Sequence, residues 1–313
     1  MPRRAVAVVV LLAVLAGCRS PVGDGLTAES RPLSPEAPQL IQLGAVEVLS
    51  IHQLRSGREW FGGVSGLSYD GHTVTAINDV GHWLSFRMEV DASGRPVSFG
   101  DLKIASLGGL DGSKEDGDAE EVRATRDGWV VSFERRHRLL RYGQDLSGPP
   151  EPLALPPGYD QQPENGGVEA MTELPDGRLL LLSEEGNDSD GQGLGWIGRP
   201  GAWQVLSYRR TGQFHPSSAT VLPGGDVLVL ERRFSLLGGF AVRLVQVAAA
   251  DLRPGKVIEG RELFTLEPPY LVDNYEGIAV WPRRDGRLVA YLVADDNFSP
   301  LQATLLMSIL LPE

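Results

Sequence analysis

Acidic residues recur along this 313-residue chain in a pattern that can hold a cation. Glu120, Glu169 and Glu276 each open a short apolar run, and Glu134, Glu184 and Asp295 each close the hairpin-like unit that follows. Ser65 and Ser217 open two further units, which Asp79 and Glu231 close. Gathered carboxylates repel one another and persist only when protonated, paired with Arg or Lys, or bound to a metal. Arginines stand at matching positions: Arg135 after Glu134, Arg232 after Glu231, and Arg243 on the next run. Two chemistries fit. In the first, Glu and Arg alternate as an ion-pair network that only pins the structure. In the second, Asp79, Glu120, Glu169, Glu184, Glu231, Glu276, Asp295 and Asp296 hold a hard divalent cation, with Glu169 and Glu276 sharing in catalysis, while Arg135, Arg232 and Arg243 receive an anionic group of the substrate. Calcium is the favoured metal because only oxygen ligands are plentiful. Zinc is disfavoured: His52, His72, His82, His137 and His215 are scattered, HExxH is absent, and the single cysteine is Cys18.

These residues sit at fixed places in a repeated unit. Copies begin at Ser65, Glu120, Glu169, Ser217 and Glu276, and self-similarity at a period of roughly fifty residues marks a ring or stack of supersecondary units. Within each copy two short apolar runs flank a turn: Asp70-Gly71, Asp127-Gly128, Asp176-Gly177, Gly224-Gly225 and Asp285-Gly286. Gly at such a turn supplies positive φ, so each unit reads as a β-hairpin. Two more strand-like segments follow each of the first four hairpins, and four strands make a propeller blade. The fifth unit has one downstream strand, Ala303 to Leu310, while Ala45 to His52 stands alone before the first unit. The chain ends are therefore expected to meet in one blade. The expected fold is all-β, a five-bladed propeller with six blades as the alternative count. In an antiparallel hairpin the first residue of strand one and the last of strand two share the open end, so the carboxylates are expected to ring the mouth of the central channel.

The N-terminus reads as a targeting segment. Arg3 and Arg4 precede an apolar stretch from Ala5 to Ala16, too short to span a bilayer, and Leu15-Ala16-Gly17-Cys18 fits a lipoprotein cleavage motif. Residues 1–17 are expected to be a signal peptide, Cys18 the lipidated residue, 18–40 a flexible tether rich in Pro, Ser, Gly and Glu, and 41–313 the folded domain. Arg19 in place of Asp after Cys18 favours the outer membrane, facing the periplasm. Removal of residues 1–17 moves the formal charge from −12 to −14, which argues against nucleic acid or anionic lipid as partner. It also means that a phosphorylated substrate would need cations in the site.

Several local motifs are weaker. Asp111 to Asp118 and Asn187 to Gly191 are acidic, but neither has EF-hand spacing, and both read as solvated loops. Gly63-Val64-Ser65-Gly66-Leu67 lacks the last Gly of a nucleophile elbow, and no helix follows, so Ser65 reads as lining rather than nucleophile.

Taken in order, Gly63-Val64-Ser65-Gly66-Leu67, Asn78-Asp79-Val80-Gly81, Asp118-Ala119-Glu120, Gly167-Val168-Glu169-Ala170, Glu231-Arg232-Arg233-Phe234, Asn274-Tyr275-Glu276-Gly277-Ile278 and Asp295-Asp296-Asn297-Phe298 resemble the phytase-like family, labelled "esterase-like activity of phytase". The resemblance implies hydrolysis of ester or phosphoester bonds on a propeller, and similarity to calcium-dependent propeller phytases implies calcium. Glu121 departs from the family pattern, which has Gly there, and its side chain would either crowd the channel or add a ligand. Three readings remain: a calcium-dependent phosphoesterase acting on a small phosphorylated substrate, a non-catalytic lipid-anchored binding or scaffold module, and a serine carboxylesterase.

Overall fold

A computed structural model describes residues 23–313. The segment expected to be a signal peptide, and Cys18, lie outside the described residues. The twenty-three strands of the described residues lie in five sheets, twenty of them forming five antiparallel four-stranded blades, and short apolar runs such as Leu179 to Leu182 form strands because both faces of each sheet are covered. Blade one comprises Val64–Tyr69, Thr73–Asn78, His82–Val90 and Pro96–Ser106, from the axis outward. Blade two comprises Ala119–Thr125, Gly128–Phe133, Arg138–Tyr142 and the two-residue Glu151–Pro152. Blade three runs Val168–Glu173, Leu179–Asn187, Gly193–Arg199 and Ala202–Tyr208, with Val257–Ile258 added in parallel at its rim. Blade four runs His215–Val221, Val227–Ser235, Gly239–Val247 and Arg261–Leu266.

Blade five closes the ring. Asn274–Pro282, Leu288–Asp295 and Leu305–Leu310 come from the C-terminal end, and Val46–Arg55 from the N-terminal end pairs with Leu305–Leu310. Ser50 Oγ and Ser308 Oγ meet at 2.8 Å across this seam. The segment expected to be tether departs from that reading in part: Thr27–Arg31 forms a further strand on the outer edge of Val46–Arg55, and Leu33 is buried. The open edge of the closing strand offers backbone partners that composition alone does not reveal.

The apolar core is divided into five clusters, one between each pair of neighbouring blades. Val122, Val131 and Phe133 of blade two pack against Ile77 and Leu107 of blade one, for example. The inner strands contact one another in ring order, the fifth meeting the first. The hairpin turns have the expected positive φ at Gly71, Gly128, Gly177, Gly225 and Gly286. All five lie on one face, so the open ends of the hairpins share the other.

A plug fills the axis below that open face. Arg123, from blade two, donates to Leu67 O (2.6 Å) in blade one, Met171 O (2.8 Å) in blade three, Ser218 Oγ (2.9 Å) in blade four and Ile278 O (2.9 Å) in blade five. It also pairs with Glu121 Oε2 at 2.8 Å, and Glu121 accepts from Ser218 Oγ and from the Val122 amide. Glu121 therefore neither adds a ligand nor faces solvent: it is fully buried beside Arg123. Gly66, at φ +64, leaves the room it needs, since a Cβ there would lie 2.6 Å from Glu121 Oε1.

Candidate metal centre at the channel mouth

Every inner strand carries the same irregularity. Ser65–Gly66 lie opposite Ile77, Glu120–Glu121 opposite Ser132, Glu169–Ala170 opposite Leu182, Ser217–Ser218 opposite Leu230, and Glu276–Gly277 opposite Val293. Two residues against one is a β-bulge, which breaks strict alternation and re-aims a side chain. The first bulge residue of each blade is the repeat-opening residue read from the sequence. The second is the one that points into the axial plug in blades two and four.

A second tier comes from the strands that follow. Asp79 N donates to Gly63 O (3.1 Å), Glu134 N to Asp118 O (2.9 Å) and Glu184 N to Gly167 O (2.8 Å), extending three hairpins by one pair above the bulge. In blades four and five the corresponding pairs are His215 with Arg232 and Asn274 with Asp295. The mouth is therefore built from Ser65, Glu120, Glu169, Ser217 and Glu276 on one tier and Asp79, Glu134, Glu184, Arg232 and Asp295 on the next.

Blade four corrects the sequence-based placement. Glu231 is not at the mouth position; Arg232 is. Four residues connect Tyr69 to Val74 and Ala124 to Trp129, but five connect Glu173 to Leu179 and Val221 to Val227. The longer turn moves the mouth position one residue along, and one residue reverses the side of the strand. Glu231 accordingly points between blades, accepting from Tyr208 Oη (2.9 Å) and from Arg243 Nε (2.5 Å). Arg243 is thereby placed away from the cluster as well. Asp296 is occupied too: its Oδ1 accepts the Gly63 and Phe298 amides and its Oδ2 the Thr304 hydroxyl, which staples the loop after Asp295. Ser65 is buried at the bulge of blade one.

The acidic loop read as solvated contributes instead. Ser113 caps a one-turn helix, Lys114–Gly117, by accepting from the Asp116 amide. Lys114 Nζ then reaches Asp79 Oδ2 (2.6 Å) and Asp118 Oδ1 (2.7 Å), and Arg135 holds the other oxygen of Asp118. Asp118 and Lys114 were absent from the sequence-derived ligand set. The available signal was the position of Asp118, two residues before the bulge Glu120.

Eight carboxylates, Asp79, Asp118, Glu120, Glu134, Glu169, Glu184, Glu276 and Asp295, face three cations, Lys114, Arg135 and Arg232. Arg232 is shared: Nη2 lies 3.1 Å from Glu169 Oε1 and 3.0 Å from Glu184 Oε1, and Nε is 3.2 Å from Glu276 Oε1. It sits among three carboxylates and is held firmly protonated by them. On the other side, oxygens of Asp118, Glu120 and Glu134 lie within 4.8 Å of one another, as do those of Glu134, Glu169 and Glu184. Glu134 is common to both groups, and its Oε1 is fixed by the Gly167 amide at 2.6 Å.

Excess negative charge shows in the proton affinities. Burial, then the Glu134 and Asp118 charges, hold Glu120 well above the carboxylate range. Burial pushes Glu134 up to about 7, and burial with the neighbouring Glu276 charge pushes Asp295 up to about 9. Glu169 and Glu276 are raised mainly by burial, with Arg232 opposing. A metal-free mouth thus holds protons that the unfolded chain releases at ordinary carboxylate pKa values. The native state binds more protons across the interval from about 4 to about 9, so its stability falls as pH rises through that interval. A cation would displace those protons. Thermal stabilisation by added calcium is therefore expected to be larger at pH 8.5 than at pH 5.5; a shift independent of pH would show that the cation binds elsewhere.

A metal ion fits this donor set. The ligands are oxygens alone, and Asp79 Oδ1 and Asn274 Oδ1 are buried with no hydrogen-bond partner among the described residues. The buried acidic cluster can hold a metal ion, and its chemistry matches a hard one.

A family model described as "Phytase-like: Esterase-like activity of phytase" matches residues 59–298. No curated protein matches the chain. Among solved structures, an α-L-arabinofuranosidase from Podospora anserina is 12% identical over 93% of this chain and 98% of its own, with a TM-score of 0.46. An aldose sugar dehydrogenase from Streptomyces coelicolor, in its PQQ-bound form, is 15% identical over 86% of this chain and 99% of its own, with a TM-score of 0.42. Similarity at that level carries no argument about this chain's chemistry.

Proposed function

The chain belongs to the phytase-like family, and from that premise we propose that it is a calcium-dependent phosphoester hydrolase working at the channel mouth. The observation that carries the reading is the pair of carboxylate triads joined through Glu134, five carboxylates whose charge Lys114, Arg135 and Arg232 offset only in part. The residues that would hold calcium are Asp118, Glu120, Glu134, Glu169 and Glu184. Calcium, when bound there, supplies charge neutralisation at the phosphoryl oxygens and acidifies a water. Glu120, which accepts no hydrogen bond among the described residues, is the carboxylate placed to take a proton from the attacking water.

Arg232 serves as a positioning residue, because three carboxylates already engage its guanidinium. Lys114 is likewise a positioning residue, its three N–H groups directed at Asp79 O, Asp79 Oδ2 and Asp118 Oδ1; Arg135, which holds Asp118 through Nε alone and whose side chain is 33% exposed at the rim, meets the anionic group of the substrate. Ser65 takes no part, and Ser65→Ala is expected to leave hydrolysis unchanged; loss of activity would favour the carboxylesterase reading. Arg243→Met is likewise expected to spare KM for a phosphomonoester, since Arg243 faces Glu231 between blades.

We further propose that Cys18 is lipidated and holds the domain in the bacterial cell envelope, facing the periplasm from the outer membrane, on the strength of Leu15-Ala16-Gly17-Cys18 and the absence of Asp at position 19. The binding-module reading draws on the engagement of Glu169, Glu184 and Glu276 by Arg232, which pins three blades without any chemistry. Phosphate release from a panel of phosphomonoesters, phytate included, with calcium and then with chelator, separates the two. Calcium-dependent release supports the hydrolase. No release from a protein whose melting temperature still rises with calcium supports the binding module.

A further inference from the structure

The three most exposed large apolar side chains among the described residues are Leu237 (104%), Leu236 (94%) and Leu301 (93%). All three lie on the mouth-bearing face. Leu236 and Leu237 form the tip of the hairpin between Val227–Ser235 and Gly239–Val247, whose opposite ends carry the Gly225 turn. Leu301 lies in the loop from Asp295 to Leu305, in the adjacent blade. Adjacent, fully solvated leucines at a hairpin tip, with a third on the same face, are the kind of exposed apolar surface that marks a protein or membrane contact.

The chain itself indicates which surface. Thr27 pairs with Arg55, at the mouth end of the closing strand, and Gly57 N donates to Gly23 O at 2.9 Å. The described chain therefore starts on the mouth-bearing face. Cys18 is five residues before Gly23, a distance that extended chain covers in at most about 18 Å. The closing strand Val46–Arg55 has ten residues and is about 30 Å from face to face. A lipid on Cys18 cannot reach the opposite face. Among the described residues no helix is long and apolar enough to cross a membrane.

We propose that the mouth-bearing face lies against a phospholipid bilayer of neutral headgroups, with Leu236, Leu237 and Leu301 seated in the boundary between headgroups and acyl chains. Neutral headgroups are specified because the face carries surplus carboxylates, which an anionic surface repels. The strand leading to the hairpin tip runs three residues past Arg232, or about 10 Å, and stands the mouth off from the lipid so that a small molecule can still enter from the side. This inference rests on lipidation of Cys18 and is independent of whether the mouth hydrolyses anything.

The test uses the full-length protein, expressed with its signal peptide and reconstituted into phosphatidylcholine vesicles, carrying Leu237→Cys or, on the opposite face, Asp285→Cys, each labelled with an environment-sensitive fluorophore. Mass spectrometry of the N-terminal peptide reports acylation of Cys18. The label at position 237 is expected to shift to the blue and to lose emission when nitroxide-bearing lipid is included, with a smaller loss in phosphatidylglycerol vesicles, while the label at 285 does neither. An acylated, vesicle-bound protein whose 237 label stays in water would overturn the orientation. A 237 label shielded from water but not quenched by nitroxide lipid, in a protein that cross-links to itself, would put a second copy on this face and overturn the proposal. An unacylated Cys18 would overturn the anchoring premise and the proposal with it, leaving the hydrolase reading intact.

Discussion

Glu134→Gln is expected to abolish stabilisation by calcium and to lower phosphate release by about a hundredfold or more, the scale seen when a group that stabilises transition-state charge is lost. Glu134 is the one carboxylate common to both triads, and its orientation is set by the Gly167 amide. Gln keeps the shape and an accepting oxygen but turns the other ligand atom into an N–H donor. A cation present at a hundred times its Kd stabilises the native state by about 2.7 kcal/mol. For a domain of this size that corresponds to a melting-temperature rise of roughly 5–10 °C. The variant should lose this rise. Its metal-free melting temperature at pH 8.5 should equal or exceed that of the parent, because one of several mutually repelling carboxylates is gone. That second measurement separates a lost ligand from a damaged fold. Glu185→Gln, at an exposed position next to the mouth residue Glu184, is the control that should change neither. Retention of the calcium shift in Glu134→Gln would remove the metal centre from the mouth.

Arg123→Met carries the largest expected effect on stability. Removing one partner of a buried ion pair costs about 3–5 kcal/mol because the other charge is left uncompensated. Here the guanidinium also satisfies carbonyls of Leu67, Met171 and Ile278, each in a different blade. The melting temperature should fall by roughly 6–20 °C. Burial pushes Glu121 up to about 7, with Arg123, Ser218 and the Val122 amide restraining the rise. Without Arg123 that restraint weakens, so the deficit should grow from pH 6 to pH 8.5. The double variant Glu121→Gln with Arg123→Met should recover part of the loss, since no charge remains stranded. Equal stability of Arg123→Met and the parent, by chemical denaturation, would mean that the plug is not what ties the inner strands together.

Much of this architecture is legible in the residues. The five turns with Gly, the apolar runs on either side and the lone strand at Ala45 to His52 lead to a closed five-bladed ring, because strand length and turn chemistry are local properties, and a unit one strand short at the C-terminal end with a lone strand at the N-terminal end has a single simple solution. The opening residues Ser65, Glu120, Glu169, Ser217 and Glu276 are likewise legible, since the hairpin geometry sends them to one end. Their partners are not all legible. A fixed count from Ser217 arrives at Glu231, whereas the turn at Leu222 to Asp226 is one residue longer than its counterpart in blade two and delivers Arg232. Period-two geometry turns that single residue into opposite destinations, one in the mouth and one between blades.

The sequence by itself determined the repeated hairpin, the acidic rim and the family, because these depend on neighbours along the chain. Only the tertiary structure decided which charges meet. Lys114 finds Asp79 across a loop, Glu121 turns from candidate ligand into part of the axial plug, Arg243 leaves the site, and Glu134 comes to stand between two triads contributed by blades two and three. Each of these outcomes depends on how blades pack side by side, and Coulomb energy at 3 Å responds to displacements that no one-dimensional pattern records.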